Sequence, residues 1–135
     1  MKTSSKKAKG RALQNWVVEQ LRLCYKGSIV DDDIKGAIMG ETGSDIKMSP
    51  KAKENIPYKF ECKNQEKYKS IYNAYEQVDL NEDAGESILV IKSNRKQPLA
   101  IIDADKFFKL LHENKQLCTK VKDLKEYSEL LYRLP

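Results

Sequence analysis

Asp45, Glu61 and Lys63 are the residues of this 135-residue chain whose types and spacing suit phosphodiester chemistry. Strand side chains alternate between faces. In Tyr58-Lys59-Phe60-Glu61-Cys62-Lys63-Asn64, Phe60, Cys62 and Asn64 share one face, and Glu61 and Lys63 share the other. A carboxylate beside a lysine on an exposed strand is common as a plain ion pair. Asp45 shifts the reading, because it follows a glycine turn at the start of the preceding strand. If the two strands pair, Asp45 approaches Glu61 on one face. Two carboxylates held together repel and require a cation or a shared proton. Magnesium takes one or two carboxylates and keeps waters for its other positions. It lowers the pKa of water and stabilises the oxygens of a phosphodiester under attack. Lys63 would orient or deprotonate the water and offset transition-state charge. The Cys62 backbone carbonyl is a further candidate ligand.

These residues need elements to position them. The spacing of Leu13, Val17, Leu21 and Cys24 predicts a helix over 10–25, ended by Gly27. Residues 29–39 read as one irregular strand broken near Gly36, and 45–48 as a short strand after the turn at 40–43. Ser49-Pro50 is a helix start, with serine as N-cap and proline at the first helical position. A clear strand is expected over 58–64 and a helix over 66–80. Ile88–Ile91 and Leu99–Ile102 read as a hairpin. Asp103 or Asp105 caps a helix through Leu111, and a separate amphipathic helix covers 121–134. The order predicts a mixed α/β domain around a central sheet. Residues 1–9 read as a flexible basic arm and 10–135 as one domain.

Composition narrows the chemistry. Cys24, Cys62 and Cys118 are odd in number and far apart, which is no disulfide framework. His112 is the sole histidine, so structural zinc and histidine-metal nuclease chemistry lack their ligands. No run of apolar residues is long enough for a membrane span, and no signal peptide opens the chain; an intracellular protein is expected. The net charge is +5. Lys6, Lys7, Lys9 and Arg11 form an acid-free basic cluster, and a second basic stretch runs from Lys47 to Lys69. Such clusters suit a polyanion, nucleic acid first. Lys6, Lys7, Lys9 and Arg11 are the candidates for phosphate contacts. Asn64, Gln65 and Gln77 are weaker candidates for contact with DNA or the site, with hydrogen bonding at a core rim as the alternative. Tyr68, Tyr72 and Tyr75 read as packing residues. Asp31, Asp32 and Asp33 read as an exposed turn, one of which could join a metal site.

Gly43-Ser44-Asp45 followed by Glu61-Cys62-Lys63 resembles the PD-(D/E)XK nuclease superfamily. Pro57 to Glu66, together with Met39-Gly-Glu-Thr-Gly-Ser-Asp-Ile and Ser49-Pro50, resembles its phage Holliday junction resolvase-like endonucleases. The likeness also takes in Lys9-Gly10-Arg11, the first helix and the 88–102 hairpin, and covers about 7–110. It implies a restriction-endonuclease-like central mixed sheet flanked by helices. It implies a magnesium-dependent endonuclease (with manganese as a substitute) cutting branched DNA as a homodimer. In that group a metal-site glutamate often follows Lys-Gly in the first helix; here the position is Gln14. At about 100° per residue, Gln14 lies beside Val17 and Leu21, whereas Glu19 points away. Gln14 is therefore favoured over Glu19, holding a water of the metal shell or the scissile phosphate. A restriction- or repair-type nuclease on duplex or nicked DNA, and a silent DNA-binding protein of the same fold, are the alternatives. The final amphipathic helix, with Leu124, Tyr127, Leu130, Leu131 and Leu134, is a candidate dimer interface or a cover for its own sheet.

Overall fold

The structure, a computed structural model, describes residues 3–133. The described residues form a mixed α and β structure with four α-helices and two small antiparallel sheets of two strands each. The elements are α1 (Thr3–Cys24), β1 (Ile34–Gly36), β2 (Ile46–Met48), α2 (Pro50–Asn55), α3 (Lys69–Asp79), β3 (Leu89–Ile91), β4 (Leu99–Ile101) and α4 (Ala104–Tyr132). The chain gathers into two compact units, residues 3–63 with 108–133, and residues 64–107. No described helix is long and apolar enough to cross a membrane.

The first unit holds the buried core. One stripe of α1 supplies Val17, Val18, Leu21 and Cys24; Ile34, Ile46, Ala52, Ile56, Phe108 and Leu111 close around it. Trp16 meets the Phe108 ring edge-on at 5.6 Å, and Phe60 stacks on the same ring at 6.5 Å. β1 and β2 pair with Ile34 opposite Met48, Lys35 opposite Lys47 and Gly36 opposite Ile46. Ser49 caps α2 as its sequence predicts: its hydroxyl accepts from the Ala52 N–H at 3.1 Å and donates to Asp33 at 2.7 Å. In the second unit β3 and β4 form the expected hairpin. The Tyr75 hydroxyl of α3 donates to the Ser87 carbonyl at 3.3 Å, and Lys106 pairs with Glu86. Its apolar residues are at most half-buried.

Several expectations are corrected. Helix α1 begins at Thr3, so Lys6, Lys7 and Lys9 of the expected arm lie on a helix. The strand expected over 29–39 is a short 3-10 turn, Asp31–Asp33, followed by β1. Residues 58–64 are not in a strand. Pro57 has no N–H to give. Within 58–64 the Cys62 N–H goes to the Asp45 carboxylate, not to a carbonyl of a neighbouring strand, a side chain taking the ladder's place. The two expected C-terminal helices are one. No glycine or proline interrupts 104–132, Thr119 bonds back to the Lys115 carbonyl at 3.1 Å, and Asp103 caps the start. The described strands make two separate ladders and not one central sheet.

Candidate active site

The site begins with a turn that only particular residues can make. Gly40 and Gly43 take φ of 82° and 93°, conformations that cost a Cβ-bearing residue dearly. They return the chain from β1 toward β2 and deliver Asp45 just ahead of β2. Inside the turn the Ile38 N–H donates to the Glu41 carboxylate at 2.9 Å, and Lys47 bonds the Thr42 carbonyl.

Asp45 is then held at three of its polar groups. Its N–H donates to the Phe60 carbonyl at 3.2 Å. Its carbonyl accepts from the Ala37 N–H at 2.8 Å and from Gln14 Nε2 at 2.5 Å. One carboxylate oxygen, Oδ2, accepts from the Cys62 N–H at 2.7 Å. A half-buried carboxylate fixed this way does not search for its geometry when a ligand arrives.

The segment 58–64 supplies the other two residues. The alternation read from sequence holds at its centre, with Phe60 and Cys62 half-buried and Glu61 and Lys63 exposed. Stacking of Phe60 on Phe108 anchors the buried face. Glu61 Oε1 and Lys63 Nζ lie 2.9 Å apart, each side chain more than half exposed. A pair so exposed adds little to stability. Burial first, then the charges of Asp45 and Glu61, push the Cys62 thiol up.

Gln14 sits where its helical position predicts, half-buried, while Glu19 is exposed. Its bonds in the structure are to the chain itself. The amide donates to the Ala37 and Asp45 carbonyls, at 3.2 and 2.5 Å. Both bonds go to backbone, so the side chain clamps the turn that carries Asp45. Gly36 makes room for this: a Cβ there would lie 2.9 Å from Gln14 Nε2. In sequence Gly36 reads only as a break in a strand, and nothing there signals the clamp.

A shallow cleft of about 620 Å³ is lined by Gly43, Ser44 and Ile46 and by Lys47, Lys53 and Lys59 among others; Asp45, Glu61 and Lys63 do not line it. The three lining lysines belong to the basic stretch seen in the sequence, where nothing distinguishes them from their neighbours. Lys6, Lys7, Lys9 and Arg11 are exposed on α1, and Lys7 and Arg11 line a second hollow with Asn15 and Met39. Asn64, Gln65 and Gln77 belong to the second unit; all three are exposed, Gln77 on α3. Asp33 is committed elsewhere. It accepts from the Ser49 hydroxyl and, at 2.8 Å, from the Val30 N–H, and these bonds hold its carboxyl below the usual range. His112 is exposed beside Gln116.

Among the described residues no three or more His, Cys, Asp or Glu side chains gather into a metal-holding group. Asp45 and Glu61 do not form such a group with Cys62; what the two side chains would offer an ion is carboxylate oxygen. Such oxygen-only, water-rich coordination suits magnesium and does not suit zinc. No protein-family model, curated protein or solved structure matches this chain.

Proposed function

We propose that this protein is a magnesium-dependent DNA endonuclease of the PD-(D/E)XK type, acting on branched DNA as a homodimer. One observation carries the reading. Asp45, fixed at N–H, carbonyl and carboxylate, meets the Cys62 N–H of the segment that holds Glu61 and Lys63. On this reading β1, β2 and the extended 58–64 segment form the edge of a restriction-endonuclease-like sheet.

Asp45 and Glu61 would hold the magnesium, with manganese as a substitute and the Cys62 carbonyl as a further ligand. The ion supplies charge stabilisation and a more acidic water. Lys63, beside Glu61, presents donors and a positive charge to the phosphate oxygens as negative charge builds there. Water attacks phosphorus, the bond to the leaving sugar oxygen breaks, and a proton reaches that oxygen. Gln14 acts through Asp45 as a positioning residue. Lys47, Lys53 and Lys59 in the cleft, with Lys6, Lys7, Lys9 and Arg11 on α1, would meet phosphates and set affinity without reading sequence.

A silent DNA-binding protein of the same fold is the second reading. The neutral Gln14, its amide spent on carbonyls, favours it. Cutting of a labelled four-way junction and its matched duplex, with magnesium or chelator, separates the readings. The proposal expects magnesium-dependent cutting of the junction. Cutting of the duplex at the same rate would point to a restriction- or repair-type nuclease. Binding without cutting under any metal condition would leave the silent protein.

A further inference from the structure

We infer that the C-terminal part of α4 forms a parallel two-stranded coiled coil with a second copy of this chain. The inference deepens the homodimer of the proposed function, but it stands on the helix alone and needs no catalytic activity.

Helix α4 leaves its own core early. Phe108 and Leu111 are buried, and Lys115 reaches Asn55 at 3.4 Å and the Tyr25 ring at 5.8 Å. From Gln116 to Arg133 every residue is exposed. An unsupported helix of this length is marginal in water, because most helical stability comes from burying an apolar face. This stretch has such a face, and its own chain does not bury it.

The face repeats every seven residues. Leu110, Leu117, Leu124 and Leu131 recur at one heptad position, and Asn114, Val121 and Ser128 fall four residues after a leucine. Leucine at d with a β-branched residue at a favours two strands, and a single asparagine at a fixes the register of a parallel pair. The seam would place Asn114 against Asn114 of the second copy and Val121 against Val121. From Leu110 to Leu131 it would run about 33 Å at 1.5 Å per residue.

The exposed area matches what a dimer needs. Leu110, Leu117, Val121, Leu124 and Leu131 are each at least half exposed, and Tyr127 beside them is 62% exposed. Burying these and the side chains flanking them would remove on the order of 700 Å² per copy, near the roughly 800 Å² per partner of a standard interface. Two of the three a positions, Asn114 and Ser128, are polar and cost stability, and one charged pair also opposes association. Lys120 at g would face Lys125 at e of the second copy. That like-charge pair is screened as salt rises, so salt should tighten this dimer while it loosens DNA binding.

The test is the size of the full chain in solution at raised salt, for wild type and for a Leu117→Asp/Leu124→Asp variant. Both leucines are exposed within their own chain, so the variant should keep its circular dichroism and its cooperative melt. The expected result is a wild-type dimer, with a dissociation constant that rises roughly 30-fold or more in the variant. A Ser128→Cys substitution in a Cys118→Ser background should give a disulfide-linked dimer on mild oxidation, since in a parallel pair the two positions face each other. A monomeric wild type, an unchanged dissociation constant in the variant, or a dimer that does not cross-link at 128 would each overturn the inference.

Discussion

Replacing Gly36 with alanine should have opposite effects with and without Gln14. A Cβ at 36 would sit 2.9 Å from Gln14 Nε2 and 3.2 Å from its Cδ. The flexible amide must move, and its bonds to the Ala37 and Asp45 carbonyls go with it. Each such bond contributes about 0.5–1.5 kcal/mol net. Against this, Gly→Ala at a compatible backbone stabilises by about 0.4–1 kcal/mol through the unfolded chain, and the backbone at Gly36 is ordinary strand. Losing both bonds costs about 1–3 kcal/mol, so Gln14→Ala should cost about that much, and Gly36→Ala less by the unfolded-chain gain of about 0.4–1 kcal/mol. In the Gln14→Ala background the clash is gone, so Gly36→Ala should be neutral or slightly stabilising. Urea unfolding of the four proteins closes the cycle, with an expected coupling of about 1–3 kcal/mol, the worth of the two bonds. Additive costs would refute the clamp. If Gln14 acts only by positioning Asp45, both single variants should lower cleavage rate while leaving DNA affinity near wild type.

Three other consequences are open to measurement. The Asp33 carboxyl lies below its ordinary value of 3.8, chiefly through the Ser49 hydroxyl and then the Val30 N–H. A depressed acid adds stability above its unfolded pKa and loses it as pH falls through the folded one. The stability gap between wild type and Asp33→Ala should thus be full near neutral pH and shrink below about pH 4; a gap that widens in acid contradicts the hydrogen bonds to Asp33. The Cys62 thiol is raised by burial and by Asp45 and Glu61, so Asp45→Asn should speed its alkylation at mildly alkaline pH, read by peptide mass; slower labelling would remove Asp45 from its surroundings. Changing Lys6, Lys7, Lys9 and Arg11 to glutamine should lower the salt slope of DNA binding by roughly one for each phosphate these side chains neutralise, and an unchanged slope would place the phosphate-binding residues elsewhere.

Local signals in the sequence were legible where one residue does one local job. Ser49-Pro50 reads as a helix start and is one, because the cap needs only the next three residues. The alternation of Phe60, Glu61, Cys62 and Lys63 survives although no strand is assigned there, since an extended chain anchored by one ring already alternates. What the sequence hid was partner choice. Nothing in residues 58–64 says that the Cys62 N–H will find a carboxylate from Asp45. Nothing near Gln14 says that its amide will span to the carbonyls of residues 37 and 45. Residues 112–120 fall between the two helices expected through Leu111 and over 121–134. Without a glycine or proline nothing breaks the hydrogen-bond ladder, and the helix continues.

The most direct test of the central claim is single-turnover cleavage of a four-way junction by wild type, Asp45→Asn, Glu61→Gln and Lys63→Ala. Junction binding is measured in parallel with calcium in place of magnesium. The account predicts magnesium-dependent cutting by the wild type and a loss of roughly 100-fold or more in each variant, with binding within a few-fold of wild type. Undiminished cutting by any of the three variants would remove that residue from the chemistry. Undiminished cutting by all of them would place the active site elsewhere on the protein.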